Sequence, residues 1–125
     1  MGSSADARLA WGVALLQPTE FMGDKYDEPF DLDAFEEEHS YGWLNELDVP
    51  LEIEFDGTSD TYGENTPFLI LTRNSWAYDY GHLVVEPETL REPTEAELTA
   101  IQKVLDHIGF KGNRDVKLYL IASYG

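Results

Sequence analysis

Residues 67–72, PFLILT, carry apolar side chains on both sides of an extended chain. Such a strand is stable only with both faces covered, so it predicts a central strand inside a layered domain. The rest of the chain offers its neighbours. In 8–16, RLAWGVALL, residues Leu9, Trp11, Val13 and Leu15 share one face of a strand. Arg8, Ala10, Gly12 and Ala14 share the other, whose small side chains predict close approach by another element. Pro18 ends this run, and 18–30 reads as an irregular acidic connection. LEIEF at 51–55 places Leu51, Ile53 and Phe55 inward and Glu52 and Glu54 outward. DGTSDTYGENT, 56–66, reads as the long tip of a hairpin to 67–72. WAYDY at 76–80 and HLVVE at 82–86 read as one further strand broken near Gly81, and VKLYLIA at 116–122 as the last.

Two segments have helical spacing. Leu32, Phe35, His39, Trp43 and Leu47 line one side of a predicted helix over 31–47. Asp31 or Asp33 caps its start, Asp33 and Glu36 have capping-box spacing, and Gly42 weakens its second half. Thr94 with Glu97 forms a second capping box, followed by a stripe of Leu98, Ile101, Leu105 and Ile108 and a stop at Gly109. The expected architecture is one α+β domain over 1–125, in the order β-α-β-β-(β)-α-β. Its four- to five-stranded, mostly antiparallel sheet carries two helices on one face, a split βαβ arrangement of ferredoxin-like type. The opposite face is expected to display some of Ala10, Ala14, Leu16, Tyr119 and Ile121 as an open surface.

Charge restricts the function. The chain carries 25 acids and 8 bases, a net charge of −17. From Glu20 to Glu64, sixteen acids meet one base, Lys25, so this block alone carries 1 − 16 = −15. Residues 65–125 hold eight acids and six bases, and Asp6 and Arg8 cancel near the start. Such a field opposes direct binding to nucleic acid or an anionic membrane and attracts a basic partner. An aromatic content of 13% argues for a folded chain despite the charge. No apolar run approaches the ~18 residues of a membrane span, and the opening MGSSADARLA lacks the pattern of a signal peptide. With no cysteine there is no disulfide or thiolate chemistry, and a cytoplasmic location is the expectation.

Catalytic and metal motifs fail in detail. Asp56, Thr58, Asp60, Tyr62 and Glu64 have the spacing of a calcium loop, but Thr61 stands where glycine is required and Pro67 where a bidentate glutamate belongs. Glu36 and His39 have E-x-x-H spacing, yet the second helix offers His107 and Asp106 without repeating it. His82 has Asp79 or Glu86 as candidate partners for base catalysis, but no nucleophile motif accompanies it. No enzyme and no cofactor are expected.

Recognition through charge is the leading expectation. Carboxylates spaced along a surface imitate the phosphates of a duplex, one charge per ~1.7 Å of axis. The partner-binding residues expected are Glu36, Glu37, Glu38, Glu52, Glu54 and Asp60, with Tyr26, Phe30, Tyr41 and Tyr62 as aromatic anchors. The partner is a basic protein, in particular one that binds DNA or RNA. The alternative is a structural or assembly protein that forms a homodimer or larger oligomer through its open sheet face.

The chain also resembles small acidic proteins encoded by tailed bacteriophages. The likeness rests on the opening ADARLAWGVALL and the close VKLYLIASYG, 22 of 125 residues, in a short, aromatic-rich, cysteine-free chain. Phage genomes carry small acidic proteins that disarm host nucleic-acid-binding machinery, so the resemblance implies mimicry while assigning no residue a role.

Overall fold

A computed structural model describes residues 5–18, 27–40, 42–49, 52–59, 65–77 and 84–124. In chain order they form β1 (Ala5–Ala14), β2 (Leu16–Pro18), β3 (Asp27–Pro29), α1 (Leu32–Glu38) and α2 (Trp43–Glu46). There follow β4 (Ile53–Ser59), β5 (Asn65–Leu71), β6 (Ser75–Ala77), α3 (Pro87–Leu90), α4 (Glu95–His107) and β7 (Lys117–Tyr124). The main sheet is antiparallel throughout, in the order β4–β5–β1–β7. β1 and β4 are therefore parallel with β5 between them, and β5 and β7 are parallel with β1 between them. That is the split βαβ arrangement, with α1–α2 and α4 in the two crossovers.

PFLILT occupies the centre, as its two apolar faces require. Leu69, Ile70 and Leu71 of β5 are completely buried. Leu69 and Leu71 meet Val13, Leu15 and Ile53 beneath a helical layer of Trp43, Ile101, Val104, Leu105 and Ile108. Each such side chain contributes about 1.5–3 kcal/mol on burial, so this core dominates the stability. Ile70 points the other way, into a smaller core with Ala10 and Ile121, flanked by Phe68 and Tyr119.

The second core corrects the expected open sheet face. Ala10 is fully buried and Ile121 nearly so, while Ala14, Leu16 and Tyr119 are half-buried. The sheet curls there, bringing β4 and β7 near one another across its concave side. Gly12 allows this. A Cβ at that position would collide with the Leu69 carbonyl and stand only 2.8 Å from Ile70 Cα. The small-residue face read from RLAWGVALL is thus the inside of a bend. Arg8 reaches over the concave face to pair with Glu54 and, at 2.8 Å, with Asp56, while its guanidinium lies 4.3 Å from the centre of the Trp76 ring.

β6 continues the line of β5 along one edge of β1, after a bulge. Between the pairs Leu9↔Ser75 and Gly12↔Ile70, β1 has two residues and the opposite chain has four. Two extra residues preserve which face each side chain takes, but they lift Arg73 off the ladder. The Arg73 Nε donates to Glu97 at 3.2 Å, and its Nη1 donates to the Glu88 carbonyl. Ser75 and Thr89 share a hydrogen bond of 2.7 Å, which seats α3 over the sheet. Residues 78–83 of the predicted broken strand lie outside the described residues, and Val84–Glu86 leads into α3 without strand pairing.

Helices match their local signals with two corrections. Thr94 and Glu97 form the capping box, and Gly109 follows α4 at φ +69°. However, Leu98 is exposed and Glu97 buried, because the helix turns Glu97 toward Arg73. The single helix predicted over 31–47 is two short ones, with Asp31 as the N-cap of α1, an extended His39 and a left-handed Gly42 between them. α3 adds a further turn of helix. The 18–30 connection contains β3, which pairs with β2. The β4–β5 ladder extends from Ile53↔Leu71 to Ser59↔Asn65, so much of the expected hairpin tip is strand.

Two variants test this frame. Gly12→Ala should destabilise the fold by about 1–3 kcal/mol through overpacking, read as a lower urea midpoint. An unchanged midpoint would show that the bend tolerates a side chain. Glu97 is the second case. Burial alone would raise its pKa, but the hydrogen bonds from Thr94 and the Arg73 guanidinium outweigh that and hold the carboxyl below its ordinary value. The carboxylate therefore supports stability above the unfolded glutamate value of roughly 4.3, and the support is lost as pH falls through the lower folded value. Glu97→Gln should cost about 1–3 kcal/mol at neutral pH and flatten the loss of stability on acidification, followed by circular dichroism.

Candidate interaction surface

The acidic helix α1 is held by rings. Phe35 stacks on His39 at 3.9 Å between ring centres and meets Trp43 edge-on at 4.9 Å. Trp43 stacks on His107 at 5.1 Å and tilts against Phe55 at 5.6 Å. Leu32 and Phe35 also pack on the main core, although no residue of α1 is fully buried. The ring cluster thus pins one side of α1 to α2, β4 and the end of α4, and leaves Asp33, Glu37 and Glu38 outward.

Among the described residues, those acids form no ion pair. Glu28, Asp31, Asp33, Glu36, Glu37, Glu38, Glu46, Asp48 and Glu52 enter no ion pair among the described residues. All four described arginines act elsewhere: Arg8 on Glu54 and Asp56, Arg73 on Glu97, Arg91 on Glu88 and Glu97, Arg114 on Asp106. Asp31 and Asp33 suit the positive start of α1, but Glu36, Glu37 and Glu38 lie at its negative end, where the last turn contains no base. Local helix electrostatics disfavours that placement.

The structure brings together only part of the predicted set. Glu37 and Glu38 are exposed on α1, and Glu52 is exposed where the chain enters β4. Glu36 is half-buried and lines a small cavity of about 120 Å³ with Gly42, Trp43, Leu44 and Phe55. Glu54 points to the concave side of the sheet, away from the helices, and is engaged by Arg8. Asp60 lies outside the described residues, as do Tyr26, Tyr41, Tyr62 and His82. Phe30 packs against the main core and is half-buried. Asp56, the first position of the calcium-like spacing, belongs to β4 and is held by Arg8.

Folding also adds one acid, Glu95, that the linear block did not contain. A groove of about 430 Å³ between the end of α2 and α4 is lined by Asp48, Val49, Glu95, Ala96, Thr99, Ala100 and Lys103. Glu95 joins the acidic layer there, although 65–125 is nearly balanced overall. Its position in the first turn of α4 was legible; its proximity to Asp48 was not. Among the described residues, no group of three or more His, Asp and Glu side chains is arranged to hold a metal ion. No described helix is long and apolar enough to cross a membrane. Comparison with protein families, curated proteins and solved structures finds no match.

Like charges without partners make stability depend on salt. Raising ionic strength from about 0.01 M to about 0.15 M shortens the screening length from roughly 30 Å to roughly 8 Å. The urea midpoint should therefore rise, and rise less in a Glu37→Gln/Glu38→Gln variant. A midpoint that falls with salt in the wild-type chain would show that the ion pairs outweigh the repulsion.

Proposed function

We propose that this chain is a non-enzymatic interaction protein whose acidic surface, centred on α1 and α2, captures a basic partner. The observation that carries the reading is the division of charge: every described arginine neutralises a carboxylate outside α1 and α2, whose acids are left unpaired. Asp31, Asp33, Glu36, Glu37 and Glu38 place five carboxylates along roughly 10 Å of helix axis, at a rise of about 1.5 Å per residue. That is roughly one charge per 2 Å, close to the ~1.7 Å of a DNA duplex. A protein built to hold nucleic acid would accept such a surface, so the partner class is a DNA- or RNA-binding protein and the action is inhibition by mimicry. The resemblance to small acidic phage proteins points the same way, and the proposed setting is the cytoplasm, where such partners work. Self-association through an open sheet face is the weaker reading, because Ala10, Ile70 and Ile121 are buried on that side.

The test is capture at low salt on the immobilised chain, with elution by duplex DNA. The expected result is a basic nucleic-acid-binding protein that DNA displaces. A Glu36→Lys/Glu37→Lys/Glu38→Lys variant should retain it about tenfold less well, since the attraction is electrostatic. Equal retention by the variant at low salt would sink the reading.

A further inference from the structure

We propose that a cleft between β2, the 111–115 loop and β7 binds a small organic anion with a flat apolar body. The cleft has a volume of about 360 Å³, within the range of small-molecule sites. Its walls include Ala14, Leu16 and Pro18 on one side and Tyr119 on the other, with Lys111 and Lys117 beside them. Lys111 and Lys117 are two of the three described lysines, and neither enters an ion pair among the described residues, whereas all four described arginines do. Among the described residues of the lining, two lysines stand against one carboxylate, Asp115. At physiological salt the screening length is roughly 8 Å, so the nearest charges dominate the local field.

The walls are held in place before any ligand arrives. Phe68 meets the Tyr119 ring edge-on at 5.3 Å between centres, which fixes a flat surface. Gly112 brings the loop so close to β2 that a Cβ would strike the Leu16 carbonyl and lie 2.6 Å from the Phe110 ring. Asn113 accepts a hydrogen bond of 2.8 Å from the Asp115 backbone N–H, closing the loop on itself. Fixed geometry reduces the ordering cost of binding. The chemistry therefore selects a carboxylate or phosphate monoester at the lysines and an aromatic or similar flat group against Tyr119.

Phenyl phosphate is the probe, titrated into the full chain and followed by two-dimensional NMR of the backbone amides. Resonances of Gly112, Asn113 and Tyr119 should shift saturably at millimolar concentration or below. Phenol and inorganic phosphate should each bind at least tenfold more weakly. Both lysines are exposed, so a Lys111→Gln/Lys117→Gln variant keeps the fold, and it should lose at least tenfold in affinity for phenyl phosphate. Non-saturating shifts, equal binding by the variant, or phenol or inorganic phosphate matching phenyl phosphate would overturn the proposal.

Discussion

Two faces of one strand have to be kept dry, and the sheet is shaped by that demand. The helices cover Leu69 and Leu71, but among the described residues nothing helical packs on Ile70 on the far side. The chain covers it by curling the sheet, and the curl depends on backbone meeting backbone where Gly12 lies against Leu69 and Ile70. Ala10 and Ile121 then close over Ile70, and Arg8 comes within reach of Glu54 and Asp56. A flat sheet of the same topology would leave Ile70 wet and Arg8 without its carboxylates.

The same geometry decides how charge is shared. A guanidinium taken from water needs partners nearby, because an unpaired buried charge costs several kcal/mol. Arg8 and Arg73 are both largely buried, and each is met by carboxylates from a distant part of the chain. Arginines are thereby drawn to the two faces of the sheet and to the start of α4. With so few bases in the sequence, no described base forms an ion pair with the acids of α1 and α2.

Legibility followed the range of each interaction. Thr94, Glu97 and Gly109 act within one or two turns of helix, and their roles were readable from spacing. The Asp31 cap was readable for the same reason. Leu98 lies off the buried stripe because α4 faces the core with Ala100, Ile101, Val104 and Leu105, and Glu97 on that side is met by Arg73, 24 positions away, which spacing does not reveal. His39 fitted a helical stripe, yet the chain is extended there, and its ring stacks on Phe35 beside His107 from another helix. Of the acids proposed to bind a partner, Glu37, Glu38 and Glu52 are exposed as their spacing implies, but Glu95 near Asp48 and the cleft at Lys111 and Lys117 needed the fold.

The central strand, the helix caps, the topology class and the concentration of acid between Glu20 and Glu64 can all be read along the chain. These follow from periodicity, local hydrogen bonding and composition, which are properties of neighbouring residues. Which carboxylates are neutralised emerges only when the chain is folded. Glu52 and Glu54 look alike in the alternating run 51–55, but Glu54 meets Arg8 from 46 positions away and Glu52 forms no ion pair among the described residues. The reason is physical: whether a charge is paired depends on distance in space, and here that distance was set by a bend made to bury Ile70.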